Sequence, residues 1–207
     1  MATLTPAKSS ITALLVTQAV ATATVVRSSA VDVLTKFGAQ ITVAMGRTVA
    51  TALTNEVLFK LQGTVAATND DQWVDVMPWT SSLGKTACNA TTINDAAVAA
   101  SDTTFIVTSA TGITGGNTIY LRETGTPANS EFVDVDSVSG TTITCQALTR
   151  GHTNGITVST LSEKWSFYVD CRALSRIRLV VDTQKNASGQ TVDVEAWYSL
   201  LNNITVA

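Results

Sequence analysis

Residues 102–152 read DTTFIVTSATGITGGNTIYLRETGTPANSEFVDVDSVSGTTITCQALTRGH. In this stretch, short alternating apolar runs are interrupted by glycine, asparagine and Ser-Gly, a pattern typical of strands joined by tight turns. The flanking stretches are also strand-like, but neither holds enough strands to close a sheet pair alone. The sequence therefore predicts a small β module inserted into a larger β domain. Such an arrangement favours a structural or interaction protein over an enzyme.

The composition of the 207 residues supports a mainly β chain with weak electrostatic reach. Charged residues make up 14% and the net charge is −3, while threonine and valine are abundant. Both are β-branched and suit a pleated sheet. A chain with so little charge is a poor partner for nucleic acid or for an anionic membrane. Thr12, Thr17 and Gln18 interrupt the N-terminal apolar run, so we expect neither a signal peptide nor a membrane span.

Strand-like alternation continues on both sides of the module, and helical patterns are few. The two best helical candidates, Ile11–Ala21 and Thr48–Asn55, are short and contain threonine. Before the module, strands are predicted at 23–27, 31–33, 41–45, 57–65 and 73–77, the last one stopped by Pro78. After it, strands are predicted at 165–171, 176–181 and 192–200, with a turn at 185–189.

The module itself contains five predicted strands, preceded by residues 81–101, which are read as a linker or loop. The strands are 104–108, 118–122, 131–138, 141–147 and 156–159, with a tight turn at Ser139-Gly140. We predict an all-β fold: an antiparallel, jelly-roll-like β-sandwich with an inserted small β-barrel-like domain. Residues 1–85 and 164–207 form the sandwich in this prediction, and residues 86–163 form the linker and the inserted domain.

No set of residues suggests a catalytic, cofactor or metal site. The single histidine, His152, lies in an Arg-Gly-His-Thr-Asn-Gly run and is expected to be a solvated loop residue. Asp134 and Asp136 share one strand face opposite Val133 and Val135, so both acids are expected to point to solvent. Asn69-Asp70-Asp71 is interpreted as a turn because it lacks the repeated oxygen ligands of a calcium loop. Gly112–Gly116 lacks the pattern of a phosphate loop.

The three cysteines, Cys88, Cys145 and Cys171, are far apart and contain no Cys-x-x-Cys pair. We interpret them as small buried apolar residues, with one structural disulfide as the alternative. With one histidine and scattered cysteines, no metal site can be assembled from the sequence. We therefore expect no metal and no cofactor.

Four residues are candidates for an interface with other proteins: Trp197, Arg176, Arg178 and Tyr120. Arg176 and Arg178 face one way on a predicted strand, which suits a solvated face or ion pairs between subunits. Trp197 lies opposite the apolar face of its strand and would anchor a neighbouring subunit if it is exposed. The alternative is a strand that is buried on both faces.

Several of these segments resemble a known class of proteins. The segments 104–109, 116–121, 131–135, Ser139-Gly140-Thr141-Thr142 and Thr149-Arg150-Gly151 resemble a small β module that recurs in structural proteins of tailed bacteriophages. The resemblance covers about a quarter of the chain by our reading of the matching segments. The flanks at 54–57 and 177–182, with the Asn-Ala-Ser-Gly turn that follows, also resemble a β-sandwich of phage virions.

The resemblance implies a non-enzymatic virion protein that is made in the cytoplasm of the bacterial host. Its expected place is the capsid exterior, as a decoration protein, or the neck, as a collar or head–tail connection protein; a tail protein is a further possibility. Its expected partners are copies of itself and capsid, portal or tail proteins, because virion subunits form symmetric assemblies.

Two other functions remain open at this stage. A carbohydrate- or cell-binding β module of a tail or fibre would use exposed aromatic residues such as Trp79, Tyr120 and Trp197. A glycan hydrolase would need two carboxylates that face each other across a cleft, and the sequence assigns no such pair.

Overall fold

The computed structural model describes residues 4–21, 23–47, 52–70, 72–82, 89–123, 126, 129–160, 162–186 and 191–206. The described chain consists of antiparallel strands joined by turns, which confirms the predicted all-β class. The strands are β1 Leu4–Lys8, β2 Thr12–Val20, β3 Val25–Arg27, β4 Val31–Asp32, β5 Gly38–Arg47, β6 Leu58–Thr64, β7 Val74–Thr80, β8 Ala90–Thr92, β9 Ala97–Val98, β10 Thr104–Ile106, β11 Thr118–Arg122, β12 Glu131–Ser139, β13 Thr142–Cys145, β14 His152–Thr153, β15 Thr157–Ser159, β16 Ser162–Asp170, β17 Arg176–Asp182 and β18 Val192–Val206.

Two of the sheets form a jelly-roll sandwich. Sheet A has the order β1–β18–β5–β16, with β2 also paired to β18; sheet B has the order β3–β17–β6–β7, with β4 also paired to β17. The chain crosses to the other sheet at every connection between these strands except the β1–β2 link, the β3–β4 link and the β6–β7 hairpin. This interleaving is the double Greek key of a jelly roll. The predicted sandwich is therefore confirmed, and its topology is that of a jelly roll.

The core of the sandwich follows from strict alternation in the central strands. Ile41, Val43 and Met45 of β5 point inward and are fully buried, and they lie beside Val194 and Ala196 of β18. Sheet B contributes the opposite face; its fully buried residues include Phe59, Leu61, Ile177, Leu179 and Val181. Because side chains alternate with a period of two, the residues between them point away from this core.

The middle of the chain forms a closed β-barrel. Its six-stranded sheet has the order β10–β13–β12–β11–β15–β8. The bridge between Ile93 and Val107 joins the two ends of this sheet, and the backbone N–H of Thr108 donates to the Thr92 carbonyl oxygen at 2.8 Å. A separate apolar cluster fills the interior, including Phe105, Ile119 and Ile143. The barrel-like insert of the sequence prediction is confirmed as a closed sheet.

The position of the barrel in the chain explains why the host strands are split. It occupies the crossing between β7 of sheet B and β16 of sheet A. In the described residues, barrel strands pair only with one another, and strands of the two host sheets pair only within those sheets. The exact domain boundaries at 85/86 and 163/164 stay a prediction, because strand pairing alone does not show that either part folds independently.

The structure corrects several local predictions. Ile11–Ala21 is not helical, because Thr12–Val20 forms β2 at the edge of sheet A and pairs with β18. The described part of Thr48–Asn55, residues 52–55, is not helical either. β7 continues through Pro78 to Thr80, which an edge strand tolerates because one side of its ladder is open.

The predicted linker at 81–101 is only partly a loop. It contains the short strands β8 and β9, and β8 belongs to the barrel sheet. Its low content of large apolar residues conceals these strands from sequence reading. Within the described residues there is no helix that is long and apolar enough to cross a membrane.

Candidate functional site: the cleft between barrel and sandwich

The barrel lies against the outer face of sheet A. Cross-strand register places Gly46, Asp193 and Ser162 in one row across β18, β5 and β16. The Tyr120 ring of β11 packs on Gly46, where an added Cβ would overlap the ring. The Ser162 hydroxyl donates to the Thr118 carbonyl oxygen, also on β11. We call Gly46, Asp193 and Ser162 the seat of the barrel. Gly46 leaves room for the Tyr120 ring, and the other two residues offer polar groups to β11.

Polar contacts fix the barrel on this seat. The Tyr120 hydroxyl donates to Asp193 Oδ2 at 3.0 Å, and Arg122 Nε donates to the same oxygen at 2.7 Å. Burial and the negative charge of Asp193 raise the pKa of Tyr120 well above its ordinary value. The hydroxyl therefore remains protonated and acts as a donor at all physiological pH values. A buried carboxylate with two donors is far less costly than an unpaired one.

This geometry corrects one expectation about Tyr120. The side chain is fully buried between the two bodies, so it is not an exposed aromatic residue that could line a sugar groove. Alternation along β11 directs the Tyr120 side chain to the outside of the barrel, where the outer face of sheet A covers it. Tyr120 therefore lies in a contact between two parts of the same chain.

Next to the seat, the two bodies separate and leave a cleft of about 570 Å³. Its floor is formed by the next two rows of sheet A, which contain Glu195 with Lys164 and then Trp197 with Thr42. Residues of the barrel and the β2 edge complete the lining: Glu131, Phe132, Thr149, Arg150 and Ile11. Trp197 is half-buried and lines this cleft. Its strand is buried on both faces from Val192 to Ala196.

Glu131 and His152 form a buried pair in the barrel wall, which corrects the prediction of a solvated histidine. His152 Nε2 lies 2.7 Å from Glu131 Oε1, and its Nδ1 lies 3.5 Å from Glu123 Oε1. His152 is only 2% exposed. The backbone N–H and the hydroxyl of Thr149 also donate to Glu131, at 3.0 and 2.6 Å. The short strand β14 brings His152 to this position by pairing with β9.

The surroundings of Glu131 indicate a structural role. Burial raises the pKa of Glu131, but the hydrogen bonds from His152 and Thr149 outweigh burial and hold the pKa below its usual value. A carboxylate that is ionised and accepts several bonds has little capacity left for proton transfer to a substrate. Glu131 therefore ties the 147–152 loop to β12. Among the described residues, no group of three or more His, Cys, Asp or Glu side chains is arranged to hold a metal ion.

Arg176 and Arg178 are engaged within the chain on the outer side of sheet B. Arg176 pairs with Asp70 at 2.9 Å and donates to the Asn69 carbonyl oxygen at 2.7 Å. Both guanidinium groups stack on the Trp73 ring, with distances from Cζ to the ring centroid of 5.3 and 4.1 Å. Burial and then the positive charge of Arg27 lower the pKa of Arg178. Whether a partner also contacts these arginines stays a prediction.

The remaining sequence candidates have local explanations. Asp134 and Asp136 point away from the barrel interior, which Val133 and Val135 fill. Asp136 is exposed, as predicted, whereas Asp134 is half-buried and accepts a hydrogen bond from the Thr118 hydroxyl at 2.6 Å. Cys145 and Cys171 are buried free thiols, and burial raises the pKa of each to about 11. Cys88 lies outside the described residues, as does Asp71 of the predicted turn.

One edge of the sandwich carries exposed apolar residues on β7. Val74 and Val76 of this strand are 61% and 42% exposed. Tyr168 of β16 is 60% exposed, but its ring lies over Gly38 of β5 on the outer face of sheet A. The edge strands β7 and β16 are neighbours across the sandwich, because Trp79 of β7 packs at a tilt of 59° against Phe167 of β16, with 4.8 Å between ring centroids. Trp79 is thereby held in an aromatic cluster and is not an isolated surface residue. Proteins usually protect open edges with charge or short strands.

The comparisons with known proteins add little to this description. No family model matches the chain, and no curated protein matches it. Among solved structures, the chain is similar to VP17, a capsid protein of bacteriophage P23-77, with 7% identity, 99% of this chain and 100% of that chain covered, and a TM-score of 0.21. A likeness of this strength carries no argument about fold or function.

Proposed function

We propose that this chain is a non-enzymatic structural protein of a tailed-phage virion, which binds copies of itself and other virion proteins at the capsid exterior or the head–tail neck. The apolar edge formed by β7 and β16 carries the proposal. Val74 and Val76 expose apolar surface on β7, and the strand ladders of β7 and β16 are both open at this edge; such edges are templates for association. The resemblance of the inserted module to phage structural proteins is consistent with this role.

The jelly-roll architecture is compatible with the proposal. Jelly rolls serve as viral capsid domains and also as lectin domains, and a fold alone does not assign a function. The sparse charge of the chain suits surface that becomes covered in an assembly. Assembly in the bacterial host cytoplasm and location in the virion are parts of the same proposal.

Assembly at this edge is testable with one matched pair of substitutions. Mass photometry of the purified chain and its co-sedimentation with emptied tailed-phage heads measure self-association and particle binding. We expect the wild type to form a cyclic or trimeric oligomer or to bind particles. Val76→Lys on β7 should abolish the association, while Ile106→Lys on the barrel, at 38% exposure against 42% for Val76, should not. A wild-type monomer that ignores particles would contradict the proposal.

A second candidate function is binding of carbohydrate, as in a module of a phage tail or fibre. The position of Trp197 in the cleft favours it, because an aromatic side chain in a concave, partly polar site is typical of ligand binding. The two functions are compatible, since a virion subunit can assemble through one face and bind a ligand with another.

A further inference from the structure

The geometry points to the cleft between barrel and sheet A as a binding site for a neutral saccharide, with Trp197 as its stacking platform. This inference rests on the second candidate function and deepens it, because it assigns the site and the class of ligand. Of the three aromatic residues considered from the sequence, only Trp197 lines this cleft. Tyr120 is buried, and Trp79 lies in the aromatic cluster.

The neighbours of the half-buried Trp197 on the floor of the cleft have short side chains. Thr42 is the cross-strand neighbour of Trp197, and Ser166 follows in the same row of sheet A. These side chains are short, and Thr42 and Ser166 hydrogen-bond to each other at 3.1 Å between their hydroxyl oxygens. A large flat ring that stands among short hydroxyl side chains offers a face to the C–H side of a sugar ring, with polar atoms beside it.

The walls supply polar groups and enough space. The volume of about 570 Å³ lies within the roughly 300–1,000 Å³ of small-molecule sites. A second hollow of about 200 Å³ adjoins the first and shares Glu131, Phe132, Thr149 and Lys164 with it. Gln146 and Asp134 line this second hollow. Amide, carboxylate, hydroxyl and ammonium groups at the rim are the partners that sugar hydroxyls require.

The charges in the cleft favour an uncharged ligand. Lys164 and Arg150 stand against Glu195 and Glu131, so the positive and negative lining residues balance formally. Glu131 is already held by His152 and Thr149. A strongly anionic glycan would lie close to the lining carboxylates, and a strongly cationic one would lie close to Lys164 and Arg150. Either repulsion disfavours binding. A segment of another protein is the competing occupant, and the experiment distinguishes it.

Trp197 should be the decisive residue in a binding assay on the full chain. Titrations of malto-, cello- and chito-oligosaccharides, with oligogalacturonate as the acidic probe, can be followed by calorimetry and tryptophan fluorescence. We expect at least one neutral oligosaccharide to bind, and Trp197→Ala to weaken that binding by roughly tenfold or more, the effect of losing a central aromatic contact. Tyr168→Ala, on the same face of sheet A and not among the residues that line the cleft, is the matched control and should bind like the wild type.

Folding and assembly are monitored separately from sugar binding. Lys164→Glu changes an exposed side chain that lines both hollows, so it should weaken binding without unfolding the protein. The inference is overturned if none of the neutral oligosaccharides binds, if only oligogalacturonate binds, or if Trp197→Ala and Tyr168→Ala behave alike. Particle binding that is lost on Trp197→Ala, without saccharide binding by the wild type, would identify a protein occupant instead. If only particle binding fails, the virion proposal is contradicted and the proposal of a saccharide site still holds.

Discussion

Glu131 lies on the same face of β12 as Val133 and Val135, and alternation therefore directs its carboxylate toward the covered side of the barrel wall. A buried carboxylate needs donors, and Thr149 and His152 supply them from a loop that is distant along the chain. The period-two pattern was thus a signal for a buried acid, although it did not identify the partner. His152 looked solvated because its neighbours in sequence are polar, whereas its neighbours in space are Glu131 and Glu123.

Replacement of this acid should weaken the barrel. Glu131→Gln places an N–H₂ group where donors point, so we expect a loss of about 1–3 kcal/mol in the free energy of unfolding at neutral pH. Asp134→Asn on the same strand is the control, because Asp134 accepts one hydrogen bond from Thr118 at 2.6 Å and is only half-buried. Urea denaturation of both variants measures the difference.

The effect should also depend on pH. Because the pKa of Glu131 is lower in the folded chain than in the unfolded chain, its ionisation stabilises the fold above the unfolded value of about 4.3. That contribution is lost as the pH falls through the lower folded pKa. The stability gap between the wild type and Glu131→Gln should therefore be widest near neutral pH and should narrow below about pH 4. An equal gap at all pH values would show that ionisation of Glu131 is irrelevant.

At the scale of elements, the contact between β11 and β5 connects the barrel to sheet A of the sandwich. Gly46 has no side chain, and the Tyr120 ring occupies the space where a Cβ would lie. Gly46→Ala should therefore cost about 1–3 kcal/mol through overpacking. The same substitution in a Tyr120→Ala background should cost much less, because the colliding ring is gone.

A double-mutant cycle measured by chemical denaturation gives the coupling of these two strands. Gly151→Ala is a useful control, because its added Cβ would come no closer than 3.4 Å to the Val98 carbonyl oxygen. If the changes in the free energy of unfolding caused by the Gly46 and Tyr120 substitutions are additive, the two residues are not in contact in solution.

For the whole molecule, the insertion of the barrel between β7 and β16 predicts two bodies that fold around separate cores. The apolar clusters of sandwich and barrel are distinct. Excision of residues 86–163, with a short glycine bridge, should therefore leave a soluble sandwich that melts cooperatively. Differential scanning calorimetry and circular dichroism measure this. The deletion exposes the outer face of sheet A and leaves Asp193 without its partners Tyr120 and Arg122. A second deletion variant that also carries Asp193→Ser removes this unpaired charge and is measured beside the first. Unfolded products from both deletions, whatever the bridge, would contradict the domain division.

The local alternation of the chain was sufficient for the fold class. Ile41, Val43 and Met45, or Val192, Val194 and Ala196, indicate which residues enter a core, and β-branched residues between Gly and Asn turns indicate strands. Short strands such as β8 and β9 escaped detection because two or three small residues carry too little pattern. The N-terminal strand β2 was mistaken for a helical candidate because pairing with β18 overrides its weak local preference.

By itself, the sequence determined an all-β chain with a β module inserted between the strands of a larger sandwich. It also placed Trp197 opposite the apolar face of its strand. Only the folded chain shows that the barrel covers Asp193, buries Tyr120 and leaves Trp197 in a cleft. The reason is physical: side-chain direction follows from the strand's own period, whereas the body that lies over a sheet depends on contacts between residues more than seventy positions apart, as in Tyr120 and Asp193.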